Sequence, residues 1–83
     1  MAVTFRIMPE GTDVDLNEIR KGLEGALGGG LKEVVDKPVA FGLVALEAVL
    51  LLEDAGGQLE RSEEAIRALK GVSSVETLSV DLL

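Results

Sequence analysis

The side chains that could do chemistry in this chain are almost all carboxylates. There are fifteen Asp and Glu residues, whereas histidine and cysteine are absent, so the usual proton-transfer base and the thiolate nucleophile are missing. Three carboxylate pairs are close enough in sequence to be weighed for acid–base work: Asp13 with Asp15, Glu53 with Asp54, and Glu63 with Glu64. None of these pairs is flanked by a histidine, a nucleophilic pair or a third ligand, and each falls at a turn or on a helix surface. We therefore predict helix caps and solvated faces, with no catalytic or metal site.

The triple glycine at residues 28–30 is a second motif to test, because glycine-rich loops can cradle phosphate groups. A phosphate loop leads from a strand into a helix and carries a lysine–hydroxyl pair after its last glycine. Here the glycines follow a helical pattern, and that pair is missing. We interpret them as a helix stop and a flexible turn.

Phe41 is the residue that we single out for binding. It is one of two aromatic residues, with Phe5, and it lies between Pro38 and Gly42 in a predicted turn. A large ring at this place has little core to reach, and rings held on rigid turns are good anchors in protein interfaces. The alternative is that Phe41 caps the end of the core.

The apolar run that follows, from Leu43 to Leu52, must position this turn. It contains one charge, Glu47, and the turn signals on both sides and the limited length favour a central strand over a buried helix. Its first alternate set is wholly apolar and is assigned to the core: Val44, Leu46, Ala48, Leu50 and Leu52. The second set is assigned to an open face with Glu47 pointing to solvent: Leu43, Ala45, Val49 and Leu51. That strip is either a partner or dimer surface or a modest patch.

Alternation and helical spacing place the remaining elements around this strand. We predict a strand over 2–8, a helix with Asp15 and Glu18 as a capping box, an edge strand over 31–37, and a turn over 54–57. A second helix then has Leu59, Ile66 and Leu69 inward and Gly71 as its cap, before a last strand over 72–82. In that last strand the apolar residues are Val75, Leu78, Val80 and Leu82. The order βαββαβ predicts one α+β domain spanning residues 1–83, a ferredoxin-like two-layer sandwich with two helices on one face of a four-stranded antiparallel sheet.

Composition excludes several classes of function. The net charge of −7, with eight scattered Lys and Arg residues and two aromatics, argues against direct nucleic-acid binding. No apolar run reaches the length of a membrane span, which is about 18 residues. Neither a signal-peptide core nor a disulfide framework is present. We expect a cytoplasmic domain whose acidic surface favours a basic protein partner.

The segment Pro38-Val39-Ala40-Phe41-Gly42-Leu43-Val44-Ala45-Leu46 resembles a hallmark segment of archaeal elongation factor 1-beta. The resemblance extends to Met8-Pro9-Glu10, Asp13-Val14-Asp15-Leu16 and the stretch from Gly71 to Glu76, and so covers nearly the whole chain. That family is the guanine-nucleotide exchange factor of elongation factor 1-alpha. The resemblance implies the same fold, elongation factor 1-alpha as the partner, and no covalent chemistry on this chain. It also implies that GDP, GTP and Mg²⁺ are ligands of the partner, and that Phe41, with Pro38, Ala40 and Gly42, belongs to the partner-binding surface.

The C-terminal residues depart from the family pattern. Relatives end in basic residues, and in eukaryotic members a lysine next to the last position is implicated near the magnesium site of the GTPase. The corresponding position here is Leu82, preceded by the acidic Asp81. By resemblance both belong to the partner-binding set, although Leu82 could alternatively be the closing apolar residue of the final strand.

Two other functions are consistent with the same fold. A small-molecule-sensing or regulatory module would dimerise through the open sheet face, which makes a homo-oligomer an alternative expectation. An acylphosphatase would need an arginine phosphate site after the first strand, and residues 8–11 supply none.

Overall fold

Four strands and two helices follow one another in the predicted order in the computed structural model, which describes residues 1–53 and 57–82. The elements are β1 (Ala2–Pro9), α1 (Leu16–Leu27), β2 (Leu31–Pro38), β3 (Val44–Leu51), α2 (Gln58–Arg67) and β4 (Val72–Asp81). A single 3₁₀ turn at Gly28–Gly30 follows α1, and a turn at Ala40–Gly42 with non-helical backbone angles at Phe41 follows β2. Most of the predicted turn over 54–57, and Asp54 of the Glu53–Asp54 pair, lie outside the described residues.

The sheet has the strand order β2-β3-β1-β4, and every neighbouring pair is antiparallel. The apolar run is therefore a central strand and the charged strand β2 is an edge, as predicted. Both helices contribute to one hydrophobic core with the sheet. The ferredoxin-like fold is confirmed.

The core lies between the helices and one face of the two central strands. Val3, Phe5 and Ile7 of β1 are fully buried, which is the result of strict alternation in that strand. The remaining members come from β3 and the two helices: Leu46, Ala48, Leu50, Ile19, Leu23 and Ile66. Leu59 is half-buried against this cluster, so Leu59 and Ile66 confirm the inward face of α2. Leu69 also packs against the cluster, but it lies beyond the end of the helix at Arg67.

The open face of β3 differs in one respect from the prediction. Ala45 is fully buried although it lies on this face, where Lys37 of β2 is its cross-strand partner. Val49 is half-buried and Leu51 is exposed. Leu43 precedes the strand, which begins at Val44. The apolar strip is consequently smaller than the sequence indicates.

The helix ends also correct two details. Asp15 does cap α1, but its Oδ1 accepts a hydrogen bond from the backbone N–H of Asn17 at 2.9 Å, and the predicted box with Glu18 does not form. Helix α2 ends at Arg67 with Ala68 as its cap residue, so Gly71 is not the cap. Gly71 instead has a φ of 90°, and a side chain there would come within 2.9 Å of Val14, so glycine is required by the turn into β4.

Candidate partner-binding site

The end of β2 and the turn that follows it contain five consecutive exposed residues, from Pro38 to Gly42. Two backbone hydrogen bonds close it: the N–H of Val39 donates to the carbonyl of Leu43 at 2.8 Å, and the N–H of Leu43 donates to the carbonyl of Ala40 at 3.2 Å. Pro38 still belongs to β2, where it opposes Val44. The turn is thus held from both of its flanking strands.

Phe41 stands at the tip of this turn in an unusual backbone conformation. Its φ of 60° and ψ of 33° are left-handed, and Gly42 after it also has a positive φ, 77°. Positive φ at both central residues is the signature of a type I′ hairpin turn, in which Asn-Gly and Asp-Gly are the favoured pairs. A bulky aromatic residue at φ > 0 is a real outlier and costs on the order of 1–3 kcal/mol. Phe41 is the only such non-glycine residue in the described part of the chain.

Packing against the core does not offset the backbone strain at Phe41. The residue is 96% exposed, whereas Phe5 is fully buried, so the alternative in which Phe41 caps the core is wrong. Local strain that no intramolecular contact compensates is characteristic of functional sites. The exposed ring on this strained turn is therefore a candidate contact for a partner.

The second group of predicted residues lies at the C-terminal end of β4. Asp81 is the last residue of that strand, opposite Ala2, and Leu82 follows it with 82% of its surface exposed. Leu82 does not close the strand or fill the core, so that structural alternative is also wrong. Both residues are available to a partner.

The two groups lie at opposite ends of the sheet. The Phe41 turn is at the end where Pro9 pairs with Val72, and Asp81 is at the end where Ala2 also pairs with Leu51. With a rise of about 3.3 Å per residue along the strands that join these two ends, the two groups lie roughly 25 Å apart. The protein is 36 Å in its longest dimension, so a partner that touches both groups must span most of the molecule.

Glu47 and Glu63, two of the carboxylates considered in the sequence, make ion pairs or hydrogen bonds within the domain. Glu47 lies on the open face as predicted, half-buried, with its Oε2 atom 3.6 Å from Nη2 of Arg6. Glu63 accepts a hydrogen bond from Oγ1 of Thr77 at 2.8 Å and pairs with Arg67 at 3.8 Å. Among the described residues no group of three or more Asp and Glu side chains could hold a metal ion. None of the described helices has the length and apolar character needed to cross a membrane.

The fold and this site define a small ferredoxin-like domain with an exposed aromatic ring on a strained turn. Residues 2–83 match the family described as the EF-1 guanine nucleotide exchange domain, and the chain belongs to that family.

Curated relatives agree with this assignment. The elongation factor 1-beta of Methanoregula boonei is 39% identical over 94% of this chain and 91% of its own length. That of Methanothermobacter thermautotrophicus is 37% identical over 96% and 92%, and that of Methanococcoides burtonii is 45% identical over 92% and 88%. The resemblance seen in the sequence is thereby confirmed.

Among solved structures, the ACT domain from the GTP pyrophosphokinase of Chlorobium tepidum is similar in fold. Its TM-score is 0.66, with 94% of this chain and 97% of that chain covered. Its sequence identity of 20% is low, so the likeness shows the shared fold alone. The sensing alternative gains no support beyond the fold.

Proposed function

We propose that this protein accelerates the release of GDP from elongation factor 1-alpha during protein synthesis. Membership of the exchange-domain family supports the activity, and the exposed, strained Phe41 turn supports a mechanism that depends on protein contact. The proposal places the protein in the cytoplasm with the translation apparatus.

Thermodynamic linkage is sufficient for this activity. A protein that binds the nucleotide-free GTPase more tightly than the GDP form lowers the affinity for GDP by the same factor. No covalent step on this chain is needed, and GDP, GTP and Mg²⁺ would all be bound by the partner. The work of the domain is to hold the partner in the conformation that binds GDP poorly.

The direct test is the rate at which labelled GDP leaves the cognate elongation factor 1-alpha, with and without this protein. We expect a concentration-dependent acceleration and a 1:1 complex with the nucleotide-free GTPase. Release that is unchanged at saturating protein would refute the function. A dimer that binds a metabolite and ignores the GTPase would instead support the sensing alternative.

The exposed residue Leu82, after the end of β4, provides a second prediction. If relatives use a terminal cation against the magnesium ion, Leu82→Lys should restore that interaction and modestly accelerate GDP release, through like-charge repulsion at a partly screened surface. Because Leu82 is 82% exposed, the substitution should leave stability within about 0.5 kcal/mol of the parent. GDP release is measured across a magnesium titration, with the folded fraction followed in parallel.

The dependence of the GDP release rate on Mg²⁺ shows whether Leu82→Lys acts at the metal site. The gain from Leu82→Lys should shrink as Mg²⁺ is removed, since there is then no ion to repel. Leu82→Gln is the neutral control and should show no such dependence. An unchanged rate at every magnesium concentration, in a fully folded variant, would show that this position is not directed at the metal site.

A further inference from the structure

The two edges of the sheet are protected very differently. β2 carries Lys32, Lys37 and Pro38, the residue types that stop a sheet from accepting another strand. β4, at the opposite edge, is ten residues long and contains no lysine, arginine or proline. Its irregularity near the C-terminal end is a bulge at Leu78, after which residues 79–81 return to regular pairing with β1. In the described part of the chain, β4 has a strand on one side only.

The C-terminal half of β4 also exposes apolar side chains. Leu78 is 38% exposed, Val80 is 45% exposed and Leu82 is 82% exposed. Val80 opposes the core residue Val3, so it lies on the helix side of the sheet, yet its position at the edge leaves it uncovered. A neighbouring strand is the element that would cover such a side chain.

The charged side chains of β4 are acidic and lie on the open face of the sheet. Glu76 opposes Arg6, and Asp81 opposes Ala2, so both carboxylates lie on the open side of the sheet. Arg6 is already 3.6 Å from Glu47, whereas no ion pair of Asp81 is found among the described residues. A strand laid against this edge would be favoured if it placed a cation beside Asp81.

We propose that the C-terminal half of β4 is a docking edge to which an extended segment of elongation factor 1-alpha adds as a fifth strand. The segment would carry apolar side chains on the helix side, over Val80, and a lysine or arginine on the open side, near Asp81. This rests on the proposed function, because it specifies how the same partner is held. The edge ends at Asp81 and is followed by Leu82. The surface for strand addition is therefore continuous with the two C-terminal residues that are predicted to contact the partner.

Val80→Lys tests the proposal, with Val35→Lys as the matched control. Both are exposed valines in edge strands, 45% and 36% exposed, but Val35 lies on the protected edge. We expect Val80→Lys to weaken the complex with nucleotide-free elongation factor 1-alpha by about tenfold or more, since an ammonium group would be buried without a partner. Val35→Lys should bind like the parent. Equal affinities of two folded variants would overturn the proposal.

Amide hydrogen exchange on the wild-type complex tests the backbone part and depends on no variant. The outward N–H groups of β4 should become protected in the complex while those of β2 do not. Unchanged exchange along β4 would refute strand addition. Accelerated GDP release without β4 protection would remove this inference and leave the function standing, whereas β4 protection without accelerated release would support the docking edge and refute the function.

Discussion

Phe41→Ala is expected to reduce the acceleration of GDP release by about 30-fold or more, because an aromatic anchor at an interface contributes about 2 kcal/mol or more. The free energy of unfolding should stay within about 0.5 kcal/mol of the parent, since the ring is 96% exposed and has no core contacts to lose. Exchange is measured at subsaturating protein, and stability is measured by chemical denaturation.

Phe5→Ala is the control for the same change of side chain. Phe5 is fully buried, and its truncation should cost about 3–5 kcal/mol. If Phe41→Ala destabilised the domain as much as Phe5→Ala, the ring would have a structural role that its exposure contradicts. Full exchange activity in a folded Phe41→Ala variant would mean that the anchor lies elsewhere.

The backbone of Phe41 makes Phe41→Asn more informative than alanine. Asparagine tolerates the left-handed conformation, and with Gly42 it forms the favoured pair of a type I′ turn. We expect Phe41→Asn to raise the free energy of unfolding by about 0.5–1 kcal/mol while exchange falls as in Phe41→Ala. Stability and activity that change in opposite directions would show that the turn is strained for function. A loss of both would show that the ring supports the fold.

Much of the fold was predictable because its signals are local. The alternation of Val3, Phe5 and Ile7 assigns one face of β1 to the core, and the glycines after Leu27 end α1 where the helical spacing ends. The apolar character of β3, interrupted by Glu47 alone, indicates a strand covered by neighbours on both sides. Each of these patterns depends on a few adjacent residues, so tertiary context had little to override.

The site was harder to predict, because its geometry depends on pairing. Phe41 was selected correctly as an exposed turn residue, but a phenylalanine gives no indication of a positive φ, which asparagine or glycine would have signalled. The distance between Phe41 and Leu82 follows from the antiparallel register of β1 with both β3 and β4, which sequence alone does not fix. Their roles in binding stay predictions.

In β4, one irregularity prevents simple alternation from assigning residues to the correct face of the sheet. Val75 opposes Ile7 and Val80 opposes Val3, both on the core side, yet they are five residues apart, an odd spacing that simple alternation forbids. The bulge at Leu78 supplies the extra residue that reconciles them. A bulge has no reliable sequence signature here, so the register of β4 against β1 emerged only from the structure.

The two faces of β3 predict a large difference in stability between Leu46→Ala and Val49→Ala. Leu46 is fully buried in the core, and its truncation should cost about 2–5 kcal/mol, because a cavity forms in addition to the lost transfer energy. Val49 is half-buried on the open face, where solvent fills the space, and its truncation should cost about 1 kcal/mol or less. Urea denaturation midpoints of the two variants decide the matter, provided that their m-values agree.

Equal losses in the two variants would mean that the open face is covered in solution. A second copy of the chain is the cover that the dimerisation alternative requires, and a dimer makes the apparent stability depend on protein concentration. Repeating the Val49→Ala and parent denaturations over a hundredfold dilution therefore separates the cases. A monomer with a free open face keeps the same midpoint at every concentration, whereas a midpoint that falls on dilution in the parent, and falls further in Val49→Ala, would place a partner copy on that face.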